Sequence, residues 1–340
     1  MKAASYCAIV LFLFVSTLAG MARAAAHPTR VPHEVLAFYY TWYGATNEHG
    51  HAQHWNRVDA SKHEISDSTH YPALGVYDSR DAAVIDRQID EAKAHGLTGF
   101  IATWWGQGKY EDKAFSVVLA EAEAKNFKVT VYWETAPGNG QAQIDQAVND
   151  LVYLVSHYGK SKAFLKVEGR PVIFVYGRVM GQVRTASWPA IVKAAHAGAG
   201  EFLLIADGYT EGHAAAFDGV HEYNNCGAVK GKSLETLRTW AAGHYANAVS
   251  LARRHNRISC VTVIPGYDDT KIRKPGLKAE RQDGEVYRVL WEEAIKAKPD
   301  WVLITSWNEW HEGSEIEPSL EYGDKYLSLT QEYGRRFCGE

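Results

Sequence analysis

Two carboxylates near the C-terminus are the side chains of this sequence best suited to chemistry. Glu309 and Glu312 follow an apolar run, Trp301–Trp307, and lie among tryptophans. Two carboxyl groups on the rim of one strand can have different surroundings, so that one is kept protonated as a donor while the other stays ionised as an acceptor. Cleavage of an acetal or glycosidic bond requires this division of labour. The pair therefore predicts an acid–base catalytic site.

The elements that must position this pair alternate between short apolar runs and longer stretches with helical periodicity. Asp81 can cap the first helix candidate and Gly96 can end it, whereas Tyr209–Phe217 has the weakest helical pattern. Eight runs are predicted to be strands: Val35–Tyr43, Gly99–Trp105, Lys128–Glu134, Pro171–Tyr176, Glu201–Asp207, Gly219–Asn224, Ile258–Gly266 and Trp301–Trp307. The main helix candidates are Ala82–His95, Lys113–Asn126, Gln141–His157, Pro189–Ala197, Leu234–Arg254, Glu285–Ala297 and Asp324–Arg336.

Eight strands alternating with helices predict parallel βαβ units and, in roughly 300 residues, a (β/α)8 TIM barrel. Continuous apolar runs suit strands that are buried on both faces. The competing architecture is an open doubly wound sheet, but no Gly-rich phosphate loop follows the first strand. We therefore expect an α/β fold with a single domain from residue 25 to residue 340. Its active site should lie at the carboxyl ends of the strands.

Acids and aromatic residues recur at those carboxyl ends. Glu134 ends the third run, Glu222 lies near the end of the sixth, and Glu309 and Glu312 follow the eighth. Acids with only a structural role should be scattered between both ends of the strands, so this pattern predicts a cleft at one rim. The tryptophans at the rim either fill the barrel core or present flat faces to a sugar.

The connection between Ala45 and Ser79 is long for a βα loop, so we expect it to cover or line the site. His49, His51 and His54 in this loop suggest a metal-ligand cluster. Metal sites need converging ligands with supporting hydrogen bonds, and this spacing does not ensure convergence. We therefore expect no metal, and a sugar contact by His54 is the alternative use of that residue.

Other charged residues near the rim have structural alternatives. Glu134 is either a sugar ligand or an ion-pair partner of Arg80. Arg273 either holds a loop through a carboxylate or contacts the substrate. Glu315 and Glu317 suit supporting or surface positions better than catalytic ones.

The C-terminal motif resembles glycoside hydrolase family 99, the endo-α-1,2-mannosidases and endo-α-1,2-mannanases. The specific part is Asn308-Glu-Trp-His-Glu-Gly313, with Ile316-Glu317-Pro318 behind it. The family fold is a (β/α)8 barrel, which agrees with the strand count made independently. Weaker matches to the family precede this motif in the same order as in the family. They lie at residues 38–44, 54–56, 71–81 and 266–273, so the resemblance covers most of the chain.

This resemblance implies retaining endo-hydrolysis of an α-mannosidic bond without a metal or other cofactor. Carried over, Glu309 deprotonates the substrate's own 2-hydroxyl, whose oxygen attacks C1 to give a 1,2-anhydro sugar. Glu312 is then the general acid on the leaving oxygen and later the base for water. The resemblance also implies that Glu134 binds sugar hydroxyls and that Tyr267 orients the acid or the sugar. The predicted substrate-binding residues are Glu134, Tyr267, Trp104, Trp105, Tyr40, Trp42, His54, Trp55, Asn308, His311, Glu222 and Tyr223.

Two other functions stay open. One is hydrolysis of another α-linked bacterial polysaccharide that offers a suitable 2-hydroxyl, because Trp104–Gly106 and His221–Asn224 depart from the family's usual pattern. The other is carbohydrate binding without turnover. The presence of both Glu309 and Glu312 opposes the second function, because a pure binder has no need for an acid–base pair.

Composition and the N-terminus limit where this protein acts. A net charge of -4 leaves no basic surface for nucleic acid or acidic lipid. Lys2, the apolar run Ala8–Leu18 and an Ala-x-Ala site predict a signal peptide at residues 1–24, cleaved after Ala24. The run is shorter than the roughly 20 residues that span a bilayer. We therefore expect an exported, periplasmic or extracellular monomer, away from the membrane, whose partner is an oligo- or polysaccharide.

Cysteine usage is sparse for an exported chain. Cys226, Cys260 and Cys338 remain after removal of the signal peptide, and an odd number cannot all pair within one molecule. Cys260 lies in an apolar run and is expected to be a small buried side chain. One disulfide between two of these cysteines is possible, but the sequence does not predict a disulfide scaffold.

Overall fold

The structure, a computed structural model, describes residues 31–45 and 52–339. Each predicted apolar run overlaps one strand of the barrel, and the helices lie between the strands. The strands that form the barrel are β1 Glu34–Tyr39, β2 Gly99–Trp104, β3 Lys128–Trp133, β4 Arg170–Val175, β5 Leu203–Asp207, β6 Gly219–His221, β7 Ile258–Val263 and β8 Trp301–Ile304.

These eight strands form a closed parallel barrel. Each strand pairs with its neighbours in sequence, and β8 returns to pair with β1 in the register Leu36↔Leu303. The ring is continuous between β3 and β4, where Tyr132 pairs with Phe174. Closure confirms the predicted (β/α)8 fold and excludes the open doubly wound sheet.

Side-chain alternation along the strands produces two apolar layers. In β1, Leu36 and Phe38 point into the barrel and pack with Ile101 and Leu303. The intervening residues face outward and pack against the helices in the larger cluster. Cys260 is buried inside the barrel, as expected.

Helices cover the outside of the barrel. Asp81 caps α1 by accepting from the backbone N of Ala83 at 2.9 Å, and Gly96 follows its end with φ 81°, which confirms both predicted signals. The helices are α1 Ala82–Ala94, α2 Tyr110–Ala124, α3 Gly140–Tyr153, α4 Gly177–Gln182, α5 Trp188–Ala199, α6 Glu211–Ala216, α7 Cys226–Val229, α8 Leu234–Arg254, α9 Glu285–Ala297 and α10 Lys325–Cys338.

Several predicted strands are longer than the real ones at their carboxyl ends. The first was expected to reach Tyr43 but ends at Tyr39, and the eighth was expected to reach Trp307 but ends at Ile304. The backbone N of Tyr40 donates to the side chain of Asn308 at 2.6 Å instead of continuing a ladder. The aromatic residues beyond the strands therefore lie on connecting loops above the barrel. Two short helices, α4 and α7, were not predicted.

The long loop after β1 lies over this rim, as expected. Trp55 donates from its indole N to the backbone O of Tyr77 at 2.7 Å, and Asp67 lies 3.2 Å from the ring of His311. Within the described part of the chain, no helix is long and apolar enough to cross a membrane. The predicted signal peptide lies outside the described residues.

Candidate active site

The turn after β8 carries both carboxylates of the predicted catalytic pair. It contains a short 3-10 helix, Trp310–Glu312, which Glu309 caps by accepting from the backbone N of His311 at 3.2 Å. The backbone N of Glu309 donates to Oγ of Ser306 at 2.7 Å. The main chain is therefore held on both sides of Glu309, and Glu312 follows one helical turn later.

Glu309 is almost completely buried, with 2% of its surface exposed. Its Oε1 lies 3.3 Å from Nδ1 of His311, whereas Oε2 has no hydrogen-bond partner among the described residues. Burial raises the pKa of Glu309 to about 7, although the hydrogen bond and charge of His311 lower it. A carboxylate with one unused, buried oxygen is suited to accept a proton from a bound molecule.

His311 connects Glu309 to the loop after β1. Its Nε2 lies 2.8 Å from the backbone O of His54 and 3.2 Å from Oδ2 of Asp67. Burial lowers the pKa of His311, but hydrogen bonds to Asp67 and Glu309 outweigh it and raise the pKa to about 10. The ring is therefore an imidazolium at neutral pH. Burial and the nearby charge of His311 lower the pKa of His54 to about 4.

Glu312 is more accessible, with its side chain 14% exposed, and has different partners. Its Oε2 accepts from the hydroxyl of Tyr223 at 3.2 Å, and Tyr223 accepts from the hydroxyl of Tyr40 at 2.6 Å. Its Oε1 accepts from both terminal nitrogens of Arg273 at 3.2 Å. Arg273 also donates to the hydroxyl of Tyr267 at 2.8 Å, so Tyr267 reaches Glu312 through this guanidinium.

Glu134 faces the same space. It lies immediately after β3 and is 3% exposed. Burial raises its pKa well above the ordinary value, Arg178 lowers it, and the carboxylates of Glu309 and Glu312 raise it further, which shows that the three acids share one region. Glu134 is not paired with Arg80, because Arg80 lies 3.5 Å from Asp78 and over the ring of Tyr110.

Two half-buried tryptophans line the approach to these acids. Trp42 stacks on His54 with ring centroids 4.5 Å apart, and Trp105 lies 6.3 Å from Trp42. The indole N–H groups of both have no hydrogen-bond partner in the described part of the chain. The guanidinium of Arg178 lies 4.6 Å from the ring of Trp105. This arrangement offers flat apolar ring faces beside the acids.

A cavity of about 370 Å³ lies at the carboxyl ends of β4, β5 and β6. Tyr223 lines it and also donates to Glu312, which connects the cavity with the acid pair. Glu222, a predicted sugar ligand, lines the cavity with one side and lies 2.8 Å from Nε2 of His244. The remaining lining residues are Tyr176, Gly177, Arg178, Asp207, Gly208 and Asn224.

Three predicted substrate-binding residues lie in the wrong place for that role. Trp104 is fully buried on the outer face of β2 and donates its indole N–H to Asp112 at 2.7 Å. Trp55 is 3% exposed and stacks on Tyr43 at 4.1 Å. Asn308 is completely buried, because its amide holds the backbone of Tyr40 on both sides. These three side chains therefore pack around the site and do not line it.

Sequence reasoning missed other residues of the site. Asp67 lies in a loop without periodic pattern, and nothing in the sequence indicates its contact with His311. Arg178 is the second residue of the short helix after β4, and its place just after a predicted strand was the only indication of a role in the site. His49 and His51 of the suggested metal cluster lie outside the described residues, so the expectation of no metal stays a prediction.

Comparison with known proteins assigns this chain to a family. The model of the family described as "Glycosyl hydrolase family 99" matches residues 31–331. The chain belongs to glycosyl hydrolase family 99. It is therefore a glycoside hydrolase, and the carboxylate-bearing turn after β8 lies within the matched region.

Relatives of this family 99 chain cover most of its length. The human glycoprotein endo-alpha-1,2-mannosidase-like protein is 28% identical, over 93% of this chain and 78% of its own. The rat glycoprotein endo-alpha-1,2-mannosidase is 26% identical, over 90% and 75%. The solved structure of the family 99 endo-alpha-mannosidase from Bacteroides thetaiotaomicron aligns with a TM-score of 0.73 and 26% identity, over 89% of this chain and 97% of that one.

Proposed function

We propose that this chain is an exported, retaining endo-glycosidase that cleaves internal α-1,2-type mannosidic bonds through a 1,2-anhydro sugar. The names of its curated relatives and of the similar solved structure support the substrate class. We propose that it acts as a monomer on an oligo- or polysaccharide. The observation that carries the mechanism is the unused, buried Oε2 of Glu309 beside a second carboxylate of different surroundings.

In the first step, Glu309 removes the proton from the 2-hydroxyl of the sugar. The freed oxygen attacks C1, so that a bond from O2 to C1 forms while the bond from C1 to the glycosidic oxygen breaks. Glu312 gives its proton to the departing oxygen. An axial 2-hydroxyl, as in mannose, can stand opposite the leaving group for this displacement. The substrate supplies the nucleophile, so the carboxylate spacing of covalent retaining enzymes does not apply.

In the second step, Glu312 acts as the base for water, which attacks C1 and opens the anhydro ring. Glu309 returns its proton to O2, and both carboxyl groups regain their starting states. Two displacements at C1 give net retention of configuration. Tyr223 and Arg273 hold the two oxygens of Glu312, and we propose that they aim this side chain at the glycosidic oxygen.

The remaining contacts suit an extended sugar chain. We propose that the flat faces of Trp42 and Trp105 receive sugar rings. Burial raises the pKa of Glu134 well above its ordinary value, and we propose that this side chain binds a sugar hydroxyl. The adjoining cavity gives room for a further sugar, which fits cleavage within a chain rather than at its end.

Hydrolysis of a panel of α-mannans by wild type and by Glu309→Gln and Glu312→Gln tests this proposal. We expect wild type to release oligosaccharides of several sizes, with retained configuration in early NMR spectra. Each amide variant should lose at least about 100-fold in kcat on a substrate with an unactivated leaving group. Full activity of either variant, or an inverted product, contradicts the mechanism.

A second substrate class is favoured by Arg178. Its side chain is exposed, lies over Trp105, and has no hydrogen bond or ion pair with the described residues. An exposed guanidinium beside a sugar platform can bind a carboxylate or phosphate substituent. Acidic α-linked bacterial polysaccharides with a free 2-hydroxyl therefore belong in the same panel, and faster hydrolysis of one of them than of neutral mannan would support this class.

A further inference from the structure

Glu317 is a buried carboxylate below the catalytic turn for which the reaction has no direct use. It is 3% exposed and follows the turn by a few residues. Burying a carboxyl group is unfavourable unless its oxygens are well bonded, and an apolar side chain would fill the same space without that penalty. The partners of Glu317 therefore indicate what it is for.

Three donors from three different parts of the chain meet at this carboxylate. Nε2 of Gln88, on α1, donates to Oε1 at 2.6 Å. The hydroxyl of Tyr77, from the loop after β1, donates to Oε2 at 2.8 Å. The indole N–H of Trp310 donates to Oε2 at 3.2 Å. Burial raises the pKa of Glu317 to about 8, although the hydrogen bonds from Gln88 and Tyr77 lower it.

The hydrogen bond from Trp310 links Glu317 to the catalytic turn. Trp310 stands between Glu309 and Glu312 in the short 3-10 helix, and it is completely buried. Its backbone N donates to the hydroxyl of Tyr43 at 3.1 Å. Tyr43 therefore holds the main chain of Trp310, and Glu317 holds its side chain. A shift of this indole moves both carboxylates at once.

The hydrogen bonds of Glu317 also hold Asn308, the residue before Glu309. Nδ2 of Asn308 donates to the hydroxyl of Tyr77 at 3.1 Å, and that hydroxyl donates to Glu317. One carboxylate thus holds the turn on both sides of Glu309, through Tyr77 and Asn308 on one side and through Trp310 on the other.

We infer that Glu317 is a positioning residue that sets the placement of Glu309 and Glu312 relative to each other, acting through Trp310 and Tyr77. The inference rests on the proposed function of that pair. A misplacement of about 1 Å at reacting groups can cost about 100-fold in rate. Loss of Glu317 should therefore lower kcat while substrate affinity, which depends on the rim, changes little.

Glu317→Leu tests the inference, with Tyr39→Phe as the matched control. Tyr39 donates to Oε1 of Gln88 at 2.6 Å, so its loss removes a buried hydrogen bond of the same network without touching Trp310. Both variants are checked by circular dichroism and assayed well below their unfolding midpoints. We expect Glu317→Leu to lose about 100-fold in kcat with little change in KM, and Tyr39→Phe to keep the wild-type kcat.

Glu317→Gln is the conservative variant, which should keep the hydrogen bonds that Glu317→Leu loses. Its amide oxygen can accept from Tyr77 and Trp310, while its NH2 group faces Gln88. Gln88 can turn its amide over, accept this donor, and give its own NH2 group to the hydroxyl of Tyr39. Each residue of the network keeps a hydrogen bond, with the hydroxyl of Tyr39 now accepting from Gln88 instead of donating to it. This variant should therefore keep most of the wild-type kcat. A purely electrostatic role of the negative charge would instead make it as slow as Glu317→Leu.

A folded Glu317→Leu with the kcat of Tyr39→Phe, or one that changes KM alone, overturns the inference. If Glu317→Leu does not fold, Trp310→Phe decides, because it deletes the N–H that Glu317 holds; a wild-type kcat there overturns the inference as well. Wild type assayed on the same α-mannan separates the two claims. An inactive wild type contradicts the proposed function, whereas an active wild type with an unaffected Glu317→Leu contradicts only the role of Glu317.

Discussion

At the scale of single residues, the two carboxylates of the turn differ in what surrounds them. Glu309 is buried beside the imidazolium of His311, whereas Glu312 is partly exposed and bonded to Tyr223 and Arg273. Burial disfavours the ionised form of Glu309, and the charge of His311 favours it. The balance places the pKa of Glu309 at about 7, which is where a general base works well.

This balance predicts a pH effect of His311→Gln. Glu309 must be ionised to act as the base, so kcat/KM should fall as the pH drops through its pKa of about 7. His311 lowers that pKa, and its removal should raise it. The acidic limb of the pH profile should therefore move to higher pH, and the variant should lose more activity below neutrality than above it. Profiles of kcat/KM against pH for both proteins check this.

His70→Gln is the matched control for this experiment. His70 also lies beside a buried glutamate of the same segment, with Nδ1 2.8 Å from Oε1 of Glu315, but no contact joins it to Glu309. The acidic limb of the kcat/KM profile of His70→Gln should coincide with that of wild type. A His311 variant with an unmoved limb would show that Glu309 is not the base that this limb reports.

Some of these residue roles were available from the sequence and others were not. Trp104 ends β2, and Ile101 of that strand points into the barrel. Alternation therefore sends Trp104 outward and leaves the next residue, Trp105, at the rim, so stricter use of the two-residue period would have separated them. The supporting roles of Asn308 and Trp55 depend on how distant loops meet. No local pattern encodes such contacts.

At the scale of elements, the strand positions were predictable and their ends were not. Apolar runs identify buried strands, but the aromatic residues that follow, such as Tyr40 and Trp307, have the same strand-like composition. A side chain from the far end of the sequence ends β1. The backbone N–H of Tyr40 donates to the side chain of Asn308 and therefore does not continue the strand pairing. The turn after β8 is similarly defined by its neighbours rather than by its own sequence.

Gly313 ends the 3-10 helix of this turn and provides an element-scale prediction. Its φ is 56°, and a Cβ there would lie 2.9 Å from Oγ1 of Thr69 and 3.2 Å from the backbone N of Asp268. Gly313→Ala should therefore suffer both left-handed backbone strain, about 1–2 kcal/mol, and a contact that moves the turn. We expect a lower free energy of unfolding and a lower kcat, measured by chemical denaturation and by assay.

Gly323→Ala isolates the backbone part of this effect. Gly323 has the same φ of 56° but nothing within 4 Å of its added Cβ. It should lose about 1–2 kcal/mol from strain alone and keep its kcat. Equal losses of stability and unchanged kcat in both variants would mean that the contacts of Gly313 do not define the turn.

At the scale of the whole molecule, closure of the barrel is what brings the site together. Glu134 follows β3 and Glu309 follows β8, yet their charges interact because all parallel strands present their carboxyl ends to one rim. The strand count therefore predicted the convergence of the acids before any contact was known. The length of the loop after β1 predicted that this loop covers the site, but its individual contacts, such as Asp67 with His311, depend on tertiary packing and were not predicted.

The location of the enzyme is a further prediction at this scale. A positive residue, an apolar run too short to span a bilayer and an Ala-x-Ala site precede the barrel. We expect the full-length chain, expressed in a secreting bacterial host, to be exported with Ala25 as its first residue, as measured by intact mass and N-terminal sequencing. The cleavage site requires small residues, so Ala24→Glu should leave the export signal attached. Its barrel should still fold, because β1 begins ten residues later, at Glu34. An exported wild-type protein that retains Met1 would contradict cleavage, and wild-type protein confined to the cytoplasm would contradict export itself.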